Sequence, residues 1–211
     1  MAKIKVCGIN NLSFLKQIIE LKPNFLGFIF YKGSKRYIDF EFMKAAIQIL
    51  PSSIIPVAVI VDHDQAFIKK IIEIAPNIIL QFHGSETEEF CSSFGMPYWK
   101  TVHIKNSKDL LDADVYESAD AILLETKSDG SIGGTGKTFD WTILKELDFD
   151  NKKYILAGGI GLQNILQAKS IGPWCLDINS MIETEPGVKS CLLYTSPSPR
   201  DTEVSRMPSS A

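Results

Sequence analysis

The chain has few cysteines and no closely spaced pair of them. Its four cysteines are Cys7, Cys91, Cys175 and Cys191, and none of them forms a C-x-x-C motif. Structural zinc sites and the disulfide frameworks of small secreted domains depend on closely spaced or numerous cysteines. The sequence therefore predicts neither a metal site nor a disulfide framework, and it favours a reducing compartment.

The chain also lacks a long apolar run and a strong excess of one charge. Its longest strongly apolar run, residues 54–61, contains Pro56 and is far shorter than the ~20 residues of a membrane span. Residues 1–5 lead directly into a predicted strand instead of the apolar region of a signal peptide. The formal net charge of −3 gives no reason to expect nucleic acid or a membrane surface as a partner.

These absences indicate a cytoplasmic protein that acts on a small molecule. We expect it to need no metal or other cofactor, because the sequence has no ligand cluster with the usual spacing. The oligomeric state has no signature in the sequence. With 45% hydrophobic and 22% charged residues, the 211-residue chain has the composition of one ordinary globular domain.

The most informative stretch that is present is a glycine-rich segment, residues 133–141. It begins with Gly133, Gly134, Thr135 and Gly136. Without Cβ atoms the backbone can adopt left-handed angles and turn its N–H groups toward an anion. Residues 121–124 before it predict a strand, and apolar residues at positions 141, 144 and 147 predict a helix after it. This order of elements favours a phosphate-binding loop.

A nucleotide-binding loop of the form G-x-x-x-x-G-K-[ST] is the obvious alternative. Aligned on Gly136, Lys137 and Thr138, that pattern needs its first glycine where the chain has Ser131. The match therefore fails, and nucleotide binding is not predicted. A flexible glycine-rich turn without a ligand stays an alternative.

Eight short apolar runs predict β-strands, and the segments between them have the period of helices. The strand-like runs are residues 4–6, 25–30, 56–61, 78–82, 98–104, 121–124, 154–157 and 174–178. The helical patterns fall within residues 12–19, 42–49, 67–72 and 162–166, with weaker ones within 86–94 and 107–116. Alternating strands and helices require parallel strands joined by crossovers. Eight units favour an α/β fold of the (βα)8 TIM-barrel type over a doubly wound sheet, which more often has about five or six strands.

In such a barrel, chemistry belongs at the carboxyl ends of the strands and in the loops that follow them. The candidate residues at these positions are Cys7, Arg36, His83, Glu125, Gly158, Gly159, Asn179 and Ser180. Together with the glycine-rich segment, they are all predicted to lie on one rim.

Six ordered motifs contain most of these residues. They are KVCGI at residues 5–9; GFIFY at 27–31 with SKRY at 34–37; QFHG at 81–84; GGTGKTFDW at 133–141; LAGGI at 156–160; and DINS at 177–180 followed by EPGVK at 185–189. In this order they resemble the phosphoribosylanthranilate isomerase family, which consists of (βα)8 barrels of tryptophan biosynthesis. The resemblance covers residues 3 to about 189.

The resemblance implies an aldose–ketose isomerase that acts on N-(5'-phosphoribosyl)anthranilate. Such an Amadori rearrangement needs an acid that opens the ribose ring and a base that removes a proton from the adjacent sugar carbon. In the family the base is the cysteine that ends the first strand, here Cys7. The acid is an aspartate at the end of the sixth strand, where this chain has Glu125 with one more methylene group.

The resemblance also implies binding roles. Arg36 is expected to pair with the anthranilate carboxylate, because its planar guanidinium matches a carboxylate. The 5'-phosphate is expected between the glycine loop and a second group of residues, Gly158, Gly159, Asn179 and Ser180. His83 is expected to line the pocket, and Asp177 to support it from within a strand.

Each of these residues also has a plainer interpretation. Taken alone, Cys7 could be a small buried hydrophobic residue at the end of a strand, and Arg36 a solvated charge on a loop. His83 equally suits a hydrogen-bonded structural residue, and Glu125 an outward-facing one.

The final segment does not fit the barrel pattern. Residues 191–211 have no apolar period, and eight of these 21 residues are serine or proline. Residues 192–201 look like translated sequencing-adapter DNA. We therefore predict a barrel domain over residues 1–190 that lacks the family's closing helix, and a non-native or disordered tail over residues 191–211. A natural disordered tail is the alternative.

Two other functions stay open at this point. Another phosphate-binding barrel enzyme, such as an indoleglycerol-phosphate synthase or a thiamin-phosphate synthase, would share the phosphate site but would not explain Cys7 together with Arg36. A catalytically impaired phosphate-binding fragment is the second alternative, because one helix is missing from the pattern and Glu125 departs from the family's aspartate.

Overall fold

A computed structural model describes residues 2–126, 140–147 and 151–190 of the chain. Within these residues, eight parallel β-strands pair in chain order, and the eighth pairs with the first to close a barrel. The strands are β1 (Lys3–Cys7), β2 (Phe25–Ile29), β3 (Ile55–Ile60), β4 (Ile79–Phe82), β5 (Tyr98–Ile104), β6 (Ala121–Thr126), β7 (Tyr154–Leu156) and β8 (Cys175–Ile178). The predicted (βα)8 barrel is therefore confirmed.

Five α-helices of the described residues lie between these strands. They are α1 (Leu12–Glu20), α2 (Phe40–Ile49), α3 (Gln65–Ile74), α4 (Glu88–Ser92) and α5 (Ile165–Ser170). Each of the first four is preceded by a capping residue whose side chain accepts hydrogen bonds from backbone N–H groups of the first turn, namely Asn11, Asp39, Asp64 and Thr87. These caps satisfy donors that have no partner within the helix and so define where each helix starts.

Two segments predicted as α-helices are 3₁₀-helices instead. They span Ser107–Ala113 and Trp141–Glu146, seven and six residues. Short 3₁₀-helices are frequent as connectors. The α-helices α4 and α5, with five and six residues, are no longer than these segments, so the apolar spacing does not decide between the two helix types. Leu110 and Leu144 are nevertheless buried in the core outside the barrel strands, so the apolar spacing identified the packed face correctly.

The lower part of the barrel interior is filled by apolar side chains. Alternation along the strands turns one set of residues inward, and the inward set forms a buried cluster of Phe25, Val57, Trp99, Ala121, Leu123, Ile155, Ala157 and Cys175. Phe25 and Trp99 pack edge to face, with ring centroids 5.0 Å apart. This cluster forms the floor below the carboxyl ends of the strands.

The chain after β8 forms two short strands that the sequence analysis did not predict. A 3₁₀ turn, Ser180–Ile182, leads into the antiparallel pair β9 (Glu183–Glu185) and β10 (Val188–Lys189). Residues 191–211 lie outside the described residues, so the proposed domain boundary and the absence of a closing helix stay predictions. No helix of the described residues is long and apolar enough to cross a membrane.

Candidate active site

A pocket lies at the carboxyl ends of the barrel strands. It has an empty volume of about 700 Å3, part of which is open solvent. The lining includes the predicted residues Cys7, Arg36, His83, Glu125, Gly158, Gly159, Asn179 and Ser180, together with Asp177. They come together because parallel strands end at the same side of the barrel. The predicted loop of Gly133, Gly134, Thr135 and Gly136 lies outside the described residues.

Cys7 ends β1 and has only 4% of its surface exposed. A Cβ atom added at Gly27 on β2 would lie 2.7 Å from Cys7 Sγ, so glycine is needed there to leave room for the thiol. Ile29 and Val59 pack around Cys7 as an apolar wall. Burial raises the pKa of the Cys7 thiol above its usual value, although the nearby Lys5 ammonium opposes this shift. The apolar surroundings therefore favour the thiol over the thiolate.

Lys5 is a buried residue of the site that the sequence analysis did not single out. It is fully buried, and its Nζ donates a hydrogen bond to Asp177 Oδ2 at 2.6 Å. The two residues lie opposite each other in the pairing of β1 with β8. Lysine is almost never fully buried without a partner. The signal that could have identified it is alternation, because Lys5 precedes Cys7 by two residues and so shares its inward face.

His83 and Glu125 are in contact within the pocket. His83 Nε2 lies 3.1 Å from Glu125 Oε2. The other ring nitrogen, Nδ1, lies 3.3 Å from Gln81 Nε2 and 3.0 Å from Thr101 Oγ1. Nδ1 thus lies among the polar groups of Gln81 and Thr101, and Nε2 is the ring nitrogen that contacts Glu125. Glu125 therefore faces the pocket and not the outside of the barrel.

A buried ion pair supports the loop that follows β4. Lys100 Nζ lies 2.8 Å from Glu86 Oε2 and donates to the Gly84 carbonyl oxygen at 2.6 Å. Glu86 in turn accepts hydrogen bonds from the backbone N–H groups of Asp62 and Gly84. His83 directly precedes Gly84, so this network supports the backbone next to His83.

Arg36 is bound by a carboxylate that the sequence analysis did not identify. Its Nε and Nη2 donate to Glu183 Oε1 and Oε2, both at 2.6 Å. Lys189 Nζ also donates to Glu183, at 2.7 Å. Burial would raise the pKa of Glu183, but hydrogen bonds from Arg36 and Lys189 lower it to about 2. We call Arg36, Glu183 and Lys189 the Arg36 clamp.

The position of Arg36 depends on a glycine at the start of the chain. Gly8 has a φ of +78°, in the left-handed region, and a Cβ atom added there would lie 2.6 Å from Arg36 Cδ. The Arg36 side chain keeps only 12% of its surface exposed. Arg36 is thus packed against the end of β1 and is not a solvated loop charge.

The Arg36 clamp predicts a contribution to stability that is lost in acid. The folded-state pKa of Glu183, about 2, is below the ~4.3 of an unfolded glutamate. The ionised carboxylate therefore stabilises the fold fully above about pH 4.3, and this contribution disappears as the pH falls toward 2. We expect Glu183→Gln to lower the melting temperature at neutral pH, and the difference from the parent to shrink in acid, as measured by calorimetry.

The matched control for this prediction is Glu185→Gln, which changes an exposed glutamate on the same short strand. It is expected to leave the melting temperature nearly unchanged at all pH values. A deficit of Glu183→Gln that stays constant from neutral pH into acid would show that the charge of Glu183 does not stabilise the clamp.

The corner predicted for phosphate contains two glycines with left-handed backbones. Gly158 and Gly159 follow β7 with φ angles of 87° and 65°. Asn164 holds this turn, because its Nδ2 donates to the Gly159 carbonyl oxygen at 2.9 Å. On the β8 side, Lys189 Nζ donates to Asn179 Oδ1 at 2.9 Å. Lys189 thereby joins this corner to the Arg36 clamp.

Among the described residues, one group of side chains has the chemistry of metal ligands. It consists of His83, His103 and Glu125, whose ligand atoms lie within 4.8 Å of one another. Ligand atoms around a tetrahedral zinc ion, with bonds of about 2.1 Å, lie about 3.4 Å apart. His83 and Glu125 also contact each other directly. The grouping is looser than a formed metal centre, so we assign no metal to it, and the absence of a cofactor stays a prediction.

The fold and the site together define a class of protein. The lining of the pocket supplies a thiol, a carboxyl group, an imidazole and a guanidinium at the carboxyl ends of the strands of a closed barrel. Such groups can bind an anionic small molecule and transfer protons to and from it. The protein therefore belongs to the class of (βα)8-barrel enzymes.

Comparison with known proteins identifies the family within this class. Residues 4–195 match the family model of N-(5'-phosphoribosyl)anthranilate (PRA) isomerase. The chain is 41% identical to the N-(5'-phosphoribosyl)anthranilate isomerase of Legionella pneumophila (strain Paris) over 192 residues. These aligned residues make up 90% of this chain and 92% of that protein. The chain belongs to the N-(5'-phosphoribosyl)anthranilate isomerase family, and it is an isomerase of tryptophan biosynthesis.

Solved structures agree with this assignment. The crystal structure of phosphoribosyl anthranilate isomerase from Thermotoga maritima is similar with a TM-score of 0.84 and 31% identity, over 92% of this chain and 95% of that one. A second phosphoribosyl anthranilate isomerase structure, in complex with reduced 1-(o-carboxyphenylamino)-1-deoxyribulose 5-phosphate, has a TM-score of 0.81 and 28% identity, over 92% and 94% of the two chains.

Proposed function

We propose that the chain converts N-(5'-phosphoribosyl)anthranilate into 1-(2-carboxyphenylamino)-1-deoxyribulose 5-phosphate, with Cys7 as the base and Glu125 as the acid. The observation that supports these roles is that one pocket contains both groups, Cys7 at the end of β1 and Glu125 in β6. The reaction needs one proton donor and one proton acceptor on a single bound substrate.

The proposed sequence of steps begins with ring opening. Glu125 donates a proton to the furanose oxygen, the bond from this oxygen to C1' breaks, and the nitrogen lone pair forms a protonated Schiff base. The Cys7 thiolate then removes the proton from C2'. The electron pair of that C–H bond forms the C1'=C2' double bond of the enolamine, and the C=N electron pair returns to nitrogen. Tautomerisation gives the ketone. Glu125 and Cys7 return to their starting states by exchanging protons with solvent.

His83 is proposed to orient the acid. Its Nε2 contacts Glu125 Oε2 at 3.1 Å, and its Nδ1 is held by Gln81 and Thr101. A ring that is held in this way limits the positions that the longer glutamate side chain can take. General acids are effective only when the proton is within hydrogen-bonding reach of its acceptor.

The Arg36 clamp is proposed to bind the anthranilate carboxylate. Glu183 occupies Nε and Nη2 of Arg36, so the substrate would use the guanidinium edge that includes Nη1. The clamp still attracts an anion, because two cations and one carboxylate leave one net positive charge. Tyr31 and Ile29 line the same pocket and would offer apolar contact to the aromatic ring of anthranilate. The 5'-phosphate would then lie at the glycine corner beyond Asn179.

Arg36→Ala is expected to raise KM by roughly 10- to 100-fold, with a smaller change in kcat, because the lost charge-assisted hydrogen bonds act on ground state and transition state alike. The measurement is the loss of fluorescence of phosphoribosylanthranilate generated in situ. Lys35→Ala is the matched control, since Lys35 is an exposed cation next in the chain. An unchanged KM for Arg36→Ala would place the anthranilate elsewhere in the pocket.

The same assay on the unchanged chain tests the proposed function itself. Loss of phosphoribosylanthranilate fluorescence above the uncatalysed rate is the expected result. A folded protein without such turnover would favour the alternative of a catalytically impaired phosphate-binding barrel, to which the replacement of the family's aspartate by Glu125 would contribute.

A further inference from the structure

Lys5 lies at the boundary between the apolar floor of the barrel and the pocket. None of its surface is exposed, and its ammonium is paired with Asp177 at 2.6 Å. Burial of an ammonium disfavours the charged form, but Asp177 and Cys7 together raise the pKa of Lys5 above its usual value. A buried lysine that stays protonated destabilises the fold through the loss of its hydration. A role for this charge in the site would account for it.

The second partner of Lys5 is Cys7. The two side chains lie two residues apart on the same inward face of β1, so the Lys5 ammonium acts electrostatically on the Cys7 sulfur. Asp177 approaches Lys5 from β8. Cys7, Lys5 and Asp177 therefore form one row of interacting groups, with the only cation of the row in the middle.

The proposed reaction requires the thiolate of Cys7, whereas the apolar wall around the sulfur favours the thiol. Four charged groups act on this sulfur from the elements packed around it: Lys5 on β1, Asp177 on β8, Lys189 on β10 and Arg36 after β2. Lys189 and Arg36 share Glu183 as a counterion. Lys5 exerts the strongest favourable influence on the thiolate.

We propose that Lys5 is a positioning residue of the isomerase, whose buried ammonium, held by Asp177, stabilises the Cys7 thiolate that takes the C2' proton. The proposal rests on the proposed function, in which Cys7 is the base. When Cys7 ionises, its proton passes to water in the open pocket, and the new negative charge lies beside the Lys5 ammonium. The thiolate then accepts the substrate proton, and the thiol loses it again to solvent after product release.

The test is Lys5→Met, which keeps the length and apolar stem of the side chain but removes the charge. The rate of alkylation of Cys7 by iodoacetamide is measured against pH, with the modified peptide identified by mass spectrometry. We expect the apparent pKa of Cys7 to rise by at least about one unit. We also expect kcat/KM to fall about 10-fold or more at neutral pH, because the thiolate fraction falls by the same factor.

Lys3→Met is the matched control. Lys3 is the other inward-side lysine of β1, but its Nζ lies over the Trp174 ring, 4.8 Å from the centroid. The same substitution there is expected to leave the Cys7 alkylation profile and kcat/KM unchanged. If Lys5→Met does not fold because Asp177 is left unpaired, the double variant Lys5→Met with Asp177→Asn removes both charges. The pKa of Cys7 is then still expected to rise above that of the parent, but by less than for Lys5→Met alone.

The outcomes separate the two proposals. If Lys5→Met does not change the pH dependence of Cys7 alkylation while Cys7 is still essential for turnover, Lys5 has only a structural role. Full activity of a variant without the Cys7 thiol overturns the assignment of Cys7 as the base, whatever Lys5 does to the alkylation profile.

Discussion

Cys7→Ser is expected to lower kcat by about 10²- to 10⁴-fold, the usual range for loss of a general base. The affinity for reduced 1-(o-carboxyphenylamino)-1-deoxyribulose 5-phosphate, an analogue of the product, is expected to change little. A serine hydroxyl is a far weaker base than a thiolate. It is also smaller than the thiol, so it fits the space that Gly27 leaves at the end of β1. Lost turnover with retained binding would therefore reflect chemistry and not a damaged pocket.

The measurements are single-turnover fluorescence decay of phosphoribosylanthranilate for kcat and calorimetric titration for binding. Cys175→Ala is the matched control, because Cys175 is another buried free thiol, placed in the apolar floor of the barrel. It is expected to retain kcat within a few-fold. If Cys7→Ser turned over at a rate comparable to the parent, Cys7 would have no part in the proton transfer.

Glu125→Gln is expected to lower kcat by at least about 100-fold, because an amide cannot donate the proton that opens the ribose ring. The substitution keeps the size of the side chain, and so it keeps the contact with His83 Nε2, which lies 3.1 Å from the carboxylate oxygen Oε2. Binding should therefore survive. Parent-like turnover of Glu125→Gln would mean that another group is the acid.

Glu125→Asp tests the position of the carboxyl group separately from its acidity. Aspartate and glutamate have similar reference pKa values, ~3.9 and ~4.3, so proton-donating ability is not the main difference. The extra methylene moves the carboxyl group by roughly an ångström, and misplacement of this size can cost ~100-fold in rate. We expect Glu125→Asp, which introduces the acid that the family resemblance implies at this position, to retain or improve kcat. Glu89→Gln, at an exposed position of α4, is the matched control for Glu125→Gln and is expected to leave kcat unchanged.

Much of the site was predictable because it follows from strand order and alternation. Cys7, His83 and Glu125 all end or follow apolar strands in the sequence, and parallel strands in a barrel have their carboxyl ends on one side. Their convergence in one pocket needs no knowledge of side-chain contacts. The Gly158 and Gly159 turn follows β7 for the same reason. The burial of Lys5 follows from the same alternation, because Lys5 lies two residues before Cys7 on β1.

The sequence by itself determined the closed barrel and the rim on which its ionisable residues lie, because hydrophobic periodicity and strand count are local properties of the chain. Only the tertiary structure decided which charges pair. Glu183 binds Arg36 from 147 positions away, and Asp177 binds Lys5 from 172 positions away. Such pairings depend on how β8 and the strands after it close against β1, and many carboxylates in the sequence would have been equally plausible partners. The ionisation of Cys7 depends on these partners, since it is set by burial and by the charges that the closed barrel brings to its sulfur.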